Sequence, residues 1–163
     1  MLAPRDSLTY RTLRLRALAE SPDAFGSTLS AEQDRPDAEW ATRLAALSAL
    51  DHPLIAEVDG DPAGLAWGRI DPASPETAHL YQMWVAPDHR QRGVGRLLVD
   101  DVIGWATARN ARWMVLRVTC GDTPALRLYL RVGFKPVGEP EPIRPGSTLL
   151  AQPMRLDLKP RAG

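Results

Sequence analysis

The stretch RQRGVGR, residues 90–96, decides the fold because it stands between a strand pattern and a helix pattern. Backbone N–H groups at the start of a helix have no partners within the helix and sit at the positive end of its dipole, so they can hold a phosphate group. Gly93 and Gly95 have no Cβ and let the main chain approach such a ligand. Three arginines add positive charge around the same point. The stretch predicts a pyrophosphate site, while the same turn would also serve as a plain helix cap.

Outward from this turn, apolar spacing and turn residues predict the element order ααβββαβαββ. Residues 95–108 form the clearest helix, since Leu98 and Trp105 recur on one face. Ser7 is the expected N-cap of the first helix, and Pro153 predicts an edge or a bulge in the last strand. The predicted helices are residues 7–20, 37–50, 95–108 and 124–132, and the predicted strands are residues 54–58, 64–70, 78–85, 113–119, 134–137 and 149–158.

The composition is that of an ordinary globular protein. A chain of 163 residues has the usual length of one domain, so we expect residues 1–163 to form a single domain. Apolar residues make up 44% and charged residues 25%, which argues against disorder. Twenty basic and twenty acidic side chains cancel. Because no net positive field would attract nucleic acid or an anionic membrane, we expect neither as a partner.

Cysteine usage and the N-terminus point to the cytoplasm. Cys120 is the single cysteine of the sequence and cannot form an internal disulfide. The first residues, MLAPRDS, lack the basic and apolar regions of a secretory signal. No apolar stretch approaches the roughly 20 residues that a membrane-spanning helix needs. We therefore expect a cytoplasmic protein in which Cys120 is a small buried residue rather than a nucleophile.

The spacing of the glycines separates this turn from two commoner phosphate-binding motifs, GxxxxGK[ST] and GxGxxG. Arg90-x-x-Gly93-x-Gly95 instead resembles the [Q/R]-x-x-G-x-[G/A] signature of the GNAT acetyltransferases, in which this turn grips the pyrophosphate of coenzyme A. The segments Leu80–Pro87 and Gly121–Phe134 are also similar to family segments. Together the matching segments cover about the central third of the chain.

The resemblance implies an α+β fold with a mixed, largely antiparallel sheet that is splayed at its centre and flanked by helices. It implies acetyl-CoA as the acetyl donor and no metal. The pantetheine arm would lie in the splayed gap and bond to strand backbone, and an asparagine of the family is replaced here by Asp122, which could accept a bond or serve only as a cap. The implied coenzyme A-binding residues are Met83, Trp84, Val85, Arg90, Gln91, Arg92, Gly93, Val94, Gly95, Arg96 and Asp122.

The resemblance also assigns the chemistry of the reaction. A backbone N–H near Val85 would stabilise the oxyanion. Tyr129 stands where the family carries a general acid, and a phenol of pKa about 10 can protonate a thiolate whose thiol resembles cysteine at about 8.5. His79 stands where many relatives carry a glutamate base, and a histidine can accept the proton of the amine. A water chain ending on an acidic residue is the alternative base. The alternative role of Tyr129 is packing on the sheet through its ring, and His79 could be simply a hydrated polar residue.

We therefore expect transfer of an acetyl group from acetyl-CoA to a primary amine of a small molecule or peptide, by direct attack in a ternary complex. A catalytically weak acyl-CoA-binding sensor or regulatory module is the alternative. The family's first strand would be reduced here to residues 1–4, and the protein could be a monomer or a homodimer. Acidic side chains in the segments that bind the acceptor suggest a cationic acceptor, although a solvated surface explains them equally: Glu32, Asp34, Asp37, Glu39, Glu139 and Glu141.

Overall fold

The computed structural model describes residues 2–159. The helices are α1 (Ser7–Glu20), α2 (Leu29–Glu32), α3 (Asp37–Ala45), α4 (Val94–Ala108) and α5 (Pro124–Val132). The strands are β1 (Asp51–Val58), β2 (Asp61–Asp71), β3 (Ser74–Val85), β4 (Trp113–Thr119), β5 (Lys135–Pro136), β6 (Glu141–Pro142) and β7 (Leu150–Asp157). Short 3₁₀ turns lie at Pro4–Asp6, Pro22–Ala24 and Pro87–His89.

The strands form one mixed sheet in the order β1-β2-β3-β4-β7-β5, with β6 also paired to β7. The β3–β4 pairing is parallel, and the other pairings are antiparallel. The predicted α+β class with a largely antiparallel sheet is confirmed.

Alternation along β2 divides the apolar side chains between two cores, one on each face of the sheet. Leu65 and Trp67 pack with α1 and α3 around the buried Trp40. Ala66 and Ile70 pack with α4 on the other face. Since successive strand residues point to opposite faces, one strand serves both cores, and helices cover the sheet on both sides.

The two central strands separate along their length. Within residues 2–159, β3 and β4 pair over residues 77–79 and 113–115 alone. Beyond these positions β3 continues to Val85 and β4 to Thr119. The predicted splay at the centre of the sheet is confirmed, and it opens a gap that the carboxyl-terminal halves of both strands line.

The second predicted helix ends earlier than expected, at Ala45 rather than near Leu50. The cause is Asp51, whose buried carboxylate accepts hydrogen bonds from the backbone N–H and the hydroxyl of Ser48 at 3.1 and 3.0 Å. Arg69 also donates to this carboxylate at 2.8 Å. These bonds draw residues 48–51 into a turn that starts β1 at Asp51, three residues before the predicted strand.

The N-terminal segment also differs from the prediction. Within residues 2–6 no strand precedes α1, because Pro4–Asp6 forms a 3₁₀ turn instead. The predicted N-cap role of Ser7 is wrong: Asp6 occupies the cap position without a side-chain cap bond, and Ser7 is the first helical residue. The Ser7 N–H donates to the Pro4 carbonyl, so the preceding 3₁₀ turn supplies the partner of the first helical N–H.

The last strand, β7, is not an edge of the sheet, although Pro153 predicts an edge or a bulge in it. Pro153 lies opposite Arg117 of β4, and β5 and β6 pair with β7 on its other side. The Pro153 carbonyl accepts from the Val137 N–H at 3.0 Å, so its nitrogen also faces this outer side. Pro153 lies between the positions at which β5 and β6 pair with β7, so its missing N–H breaks no hydrogen bond of a ladder.

Cys120, expected to be buried, is exposed just after β4.

Candidate active site

A bulge in β3 decides which backbone groups face the gap. The register between β2 and β3 shifts around Gln82, whose φ is 55°. Beyond it Trp84 pairs with β2, and the Ala86 N–H donates to a β2 carbonyl. Backbone groups alternate in direction along a strand, so the N–H groups of Met83 and Val85 turn away from β2, toward the gap. The main chain of Trp84 faces β2 instead.

The turn that begins α4 leaves an open surface of N–H groups. Gln91 and Gly93 have φ angles of 63° and 79°, in the left-handed region. The Leu97 N–H donates to the Gly93 carbonyl, so the N–H groups of the three preceding residues have no intrahelical partner. A Cβ at Gly93 would meet no atom within 4 Å. The positive φ and the open space leave room for a phosphate at the positive end of the helix.

Gly95 serves packing rather than the open surface. A Cβ at Gly95 would lie 3.1 Å from a Leu128 methyl carbon and 3.4 Å from the Met83 Cε atom. The missing side chain thus faces β3 and α5, and it lets α4 approach both. This differs from the ligand approach expected from the sequence.

The three arginines of the turn have different partners. Arg90 donates from Nε to the Val85 carbonyl at 2.9 Å and from Nη2 to the Glu20 carboxylate at 2.8 Å. Arg96 pairs with Asp100 one helical turn further on. Arg92, by contrast, has no acidic partner within residues 2–159. Of the predicted phosphate-binding arginines, Arg92 is therefore the one whose charge is not offset by a neighbouring carboxylate.

Glu20 ties the end of α1 to the carboxyl end of β3. Its carboxylate accepts from the Trp84 indole N–H at 2.9 Å as well as from Arg90, and the Ser21 hydroxyl also donates to it. Burial alone would raise the pKa of Glu20, but the hydrogen bonds from Ser21, Arg90 and Trp84 outweigh it and lower the pKa to about 2. This carboxylate is ionised at neutral pH.

The Pro22–Ala24 turn lies beside the gap and contacts two cavities. The Thr119 hydroxyl, at the end of β4, donates to the Asp23 carbonyl at 2.5 Å. The larger cavity, of about 550 Å³, is lined by residues 79–83 of β3, by β4 and by residues 24–27. The smaller cavity, of about 290 Å³, is lined by residues 20–24, by the end of β4 and by the start of α5. Met83, Thr119 and Tyr129 are among the residues that contact both cavities.

Tyr129, the predicted general acid, is brought to the junction of the two cavities by α5. Its side chain is only 5% exposed and packs edge-on against Phe134. Burial raises the pKa of Tyr129 above its usual range, so the phenol remains protonated at neutral pH. The left-handed Gly133, whose N–H donates to the Tyr129 carbonyl, ends the helix one turn after this position.

His79, the predicted base, lies at the point where the gap opens. It pairs with Arg69 of β2 and with Val115 of β4, the last residues joined in the β3–β4 ladder. Its side chain is 44% exposed and lines the larger cavity. The Nε2 atom lies 3.6 Å from an Asp71 carboxylate oxygen. This carboxylate would stabilise a protonated imidazole.

Asp122 is not brought to the other predicted site residues. Its carboxylate pairs with Arg127 at 3.2 Å and is exposed, and it lines neither cavity. Thr123 is the residue that caps α5, since its hydroxyl accepts from the Leu126 N–H at 3.1 Å. The alternative role of Asp122 as a cap is therefore not observed.

Arg14 was not predicted, although it lines the larger cavity. It is 4% exposed and pairs with Glu32, which is 3% exposed. The sequence does carry a signal. Arg14 falls among the buried apolar positions of α1, beside Leu13 and Ala17, and a charged residue on such a stripe marks a paired or functional group. Because the same helix also contains Arg11 and Arg16, this signal is hard to distinguish in the sequence from an ordinary charged helix surface.

Comparison with known proteins accounts for this arrangement. A family model described as the Acetyltransferase (GNAT) family matches residues 15–134, which include the splayed strands and the turn before α4. The chain belongs to the GNAT acetyltransferase family. A GNAT acetyltransferase from Streptococcus pneumoniae superposes with a TM-score of 0.78 at 20% identity, over 97% of this chain and 96% of that one.

A second structural neighbour was solved with acetyl-CoA. The Salmonella typhimurium protein yncA, whose structure holds its cofactor acetyl-CoA, superposes with a TM-score of 0.76 at 20% identity, over 99% of this chain and 94% of that one. A mycothiol acetyltransferase from Clavibacter sepedonicus is 30% identical over 130 residues, which are 80% of this chain and 40% of the relative. The chain thus spans about two fifths of the length of the first curated relatives. In residues 2–159 of this GNAT protein, no helix is both long and apolar enough to cross a membrane.

Proposed function

We propose that this GNAT protein transfers an acetyl group from acetyl-CoA to a primary amine by direct attack in a ternary complex. The observation that carries the proposal is that Tyr129 contacts both cavities beside the splayed gap. A donor in one cavity and an acceptor in the other would meet beside this phenol.

The smaller cavity and the start of α4 fit the donor. The open surface at Gly93 and the free N–H groups after it suit a pyrophosphate. Arg92, which pairs with no carboxylate in the described part of the chain, would add a positive charge. The N–H groups of Met83 and Val85 face the gap and would bond to the pantetheine or to the acetyl carbonyl. Acetyl-CoA would supply an acetyl group activated as a thioester.

Three kinds of group in the chain itself would assist the reaction: backbone N–H groups, a proton donor and a proton acceptor. The N–H groups in the gap would stabilise negative charge on the carbonyl oxygen. The Tyr129 hydroxyl would hold the proton for the departing sulfur, and its raised pKa keeps it in the donor form. His79 would take the proton of the amine in the larger cavity, directly or through water.

The test is a screen of primary amines with acetyl-CoA, followed by thiol release and by mass spectrometry of the products. We expect at least one class of amine to be acetylated and acetyl-CoA to be consumed in equal amount. Calorimetry of acetyl-CoA binding accompanies the screen. Tight binding of acetyl-CoA with no turnover across the panel would instead indicate an acyl-CoA-binding sensor. If acetyl-CoA does not bind, both the transferase and the sensor function are contradicted.

A further inference from the structure

The larger cavity contains a buried cation that acetyl transfer does not use. Arg14 lines the cavity from α1, although its side chain is almost inaccessible to solvent. A buried arginine costs folding free energy unless its donors are satisfied. Its partners therefore indicate what else this position serves.

The pairing of Arg14 is incomplete. Nε and Nη2 both approach one oxygen of Glu32, at 3.2 and 3.0 Å. The remaining terminal nitrogen, Nη1, is buried and has no hydrogen-bond partner within residues 2–159. The guanidinium also lies 4.9 Å from the centre of the Phe25 ring, which is another wall of the same cavity.

The charge around Arg14 is not balanced by its partner. The second oxygen of Glu32 lies 3.5 Å from Arg43, so two arginines share one buried carboxylate. A second arginine of the cavity wall, Arg117, lies 3.8 Å from Glu141, which also lines the cavity. Among the described residues that line the cavity, Arg14 and Arg117 are the arginines and Glu141 is the one carboxylate. An anionic group would complement this wall, and a second cationic group would be repelled.

We propose that the acceptor is an amino-acid-like molecule, whose amine is acetylated and whose carboxylate is bound by Arg14. The inference rests on the proposed function and adds the chemical class of the acceptor. A carboxylate matches a guanidinium edge that offers a free N–H donor. The cavity volume of about 550 Å³ suits a molecule of that size.

This proposal replaces the cationic acceptor that the acidic residues of the sequence suggested with an acceptor that carries a carboxylate. Glu32 is buried and paired, Asp37 lies 3.4 Å from Arg11, and Glu141 faces Arg117. Half of the six acidic side chains considered are therefore offset by arginines of the chain and do not attract a cation to the cavity.

The experiment compares acids with their amides. Glycine, L-alanine, β-alanine and 4-aminobutyrate are each paired with the corresponding primary carboxamide. Both members of each pair are tested for acetylation with acetyl-CoA and for calorimetric binding to the protein loaded with coenzyme A. Wild type is compared with the double variant R14Q/E32Q, which replaces the buried ion pair by neutral amides of similar shape.

Arg43→Gln is the matched control, because Arg43 pairs with the same Glu32 and does not line the cavity. We expect at least one acid to bind wild type about tenfold or more tightly than its amide, as for a charge-assisted hydrogen bond. This preference should persist in Arg43→Gln and disappear in R14Q/E32Q. Equal binding of every acid and its amide to wild type, or an acid preference that survives in folded R14Q/E32Q, overturns the proposal.

Arg14→Lys decides the case if the double variant does not fold. It keeps the charge but removes the planar donor fork, so the acid preference should fall severalfold, and an unchanged preference overturns the proposal. The experiment also distinguishes failure of the carboxylate site from failure of acetyl transfer. Acids that bind through Arg14 without any acetylation support the carboxylate site and refute acetyl transfer. Amides acetylated as fast as their acids support acetyl transfer and refute the carboxylate site.

Discussion

The guanidinium of Arg90 lies 2.8 Å from the carboxylate of Glu20, a residue seventy positions earlier in the chain. The same side chain donates to the Val85 carbonyl five residues before it. The first residue of the glycine-rich signature therefore connects the end of α1 to the end of β3. Its side chain is directed to the scaffold, whereas the backbone of the turn remains open.

Arg90→Gln and Arg92→Gln should therefore have different effects. Arg90→Gln removes bonds to Glu20 and Val85 and should lower the free energy of unfolding by about 1 to 2 kcal/mol. Arg92→Gln should leave stability nearly unchanged and weaken acetyl-CoA binding severalfold, less so at high salt. Urea unfolding and calorimetry at two salt concentrations measure both. Equal losses of acetyl-CoA affinity in the two variants would contradict this division.

Glu20 should make stability depend on acid pH. Its folded pKa of about 2 lies below the unfolded value of about 4.3, so its contribution is complete above that unfolded value and is lost as the pH falls toward 2. Glu20→Gln should cost about 1 kcal/mol at pH 7, since the side chain is 32% exposed and solvent weakens the pair. Unfolding at pH 7, 4 and 2.5 should show the difference from wild type shrinking. A constant difference would refute the assignment.

Tyr129→Phe should lower kcat by about 10² under conditions in which chemistry limits turnover. The ring and its edge contact with Phe134 remain, so stability and acetyl-CoA affinity should change little. Tyr81→Phe is the control, because Tyr81 also lines the larger cavity but is absent from the smaller one. If kcat of folded Tyr129→Phe stays within about twofold of wild type, water is the proton source and Tyr129 is a packing residue.

His79→Ala should lower kcat/KM most at and below neutral pH and remove an ionisation in the histidine range from the profile. Asp71→Asn leaves the imidazole in place but removes the carboxylate 3.6 Å from it. It should lower kcat/KM much less than His79→Ala does, because the proposed base is still present. A profile that is identical in wild type and His79→Ala would favour a base reached through water.

Gly93→Ala should weaken acetyl-CoA binding and cost about 1 kcal/mol of stability, because an L-residue resists the φ of 79°. Gly104→Ala is the control within the same helix. Its Cβ would meet no atom within 4 Å, so it should raise stability by about 0.5 to 1 kcal/mol without affecting acetyl-CoA. Thermal unfolding and calorimetry compare them. Wild-type affinity in folded Gly93→Ala would argue against a phosphate at this turn.

Much of the fold could be predicted because its strongest elements carry local patterns. The helix that follows the signature begins at Val94 and ends at Ala108, within one residue of the predicted start and at the predicted end. The early end of α3 was not predictable in this way. It depends on the buried carboxylate of Asp51, whose partners Ser48 and Arg69 are identified only by tertiary structure. The two-residue strands β5 and β6 are too short for any periodicity.

The site was predictable where a motif fixes backbone geometry and less so where side chains choose partners. Gly93 has a positive φ and open space where its Cβ would be, in agreement with the expectation that it lets the main chain approach a ligand. The partners of Arg90 and Arg96 depend on carboxylates that the folded chain brings within reach, so three arginines that look alike in sequence differ in structure. The pairing of Arg14 with Glu32 joins two elements separated by a loop.

The Pro22–Ala24 turn, held by the bond from Thr119 to the Asp23 carbonyl, contacts both cavities, and each cavity is open to solvent. Two reactants seated as proposed would both contact this turn. A substitution that displaces the turn would therefore weaken the binding of donor and acceptor together, although the turn itself carries no reacting group.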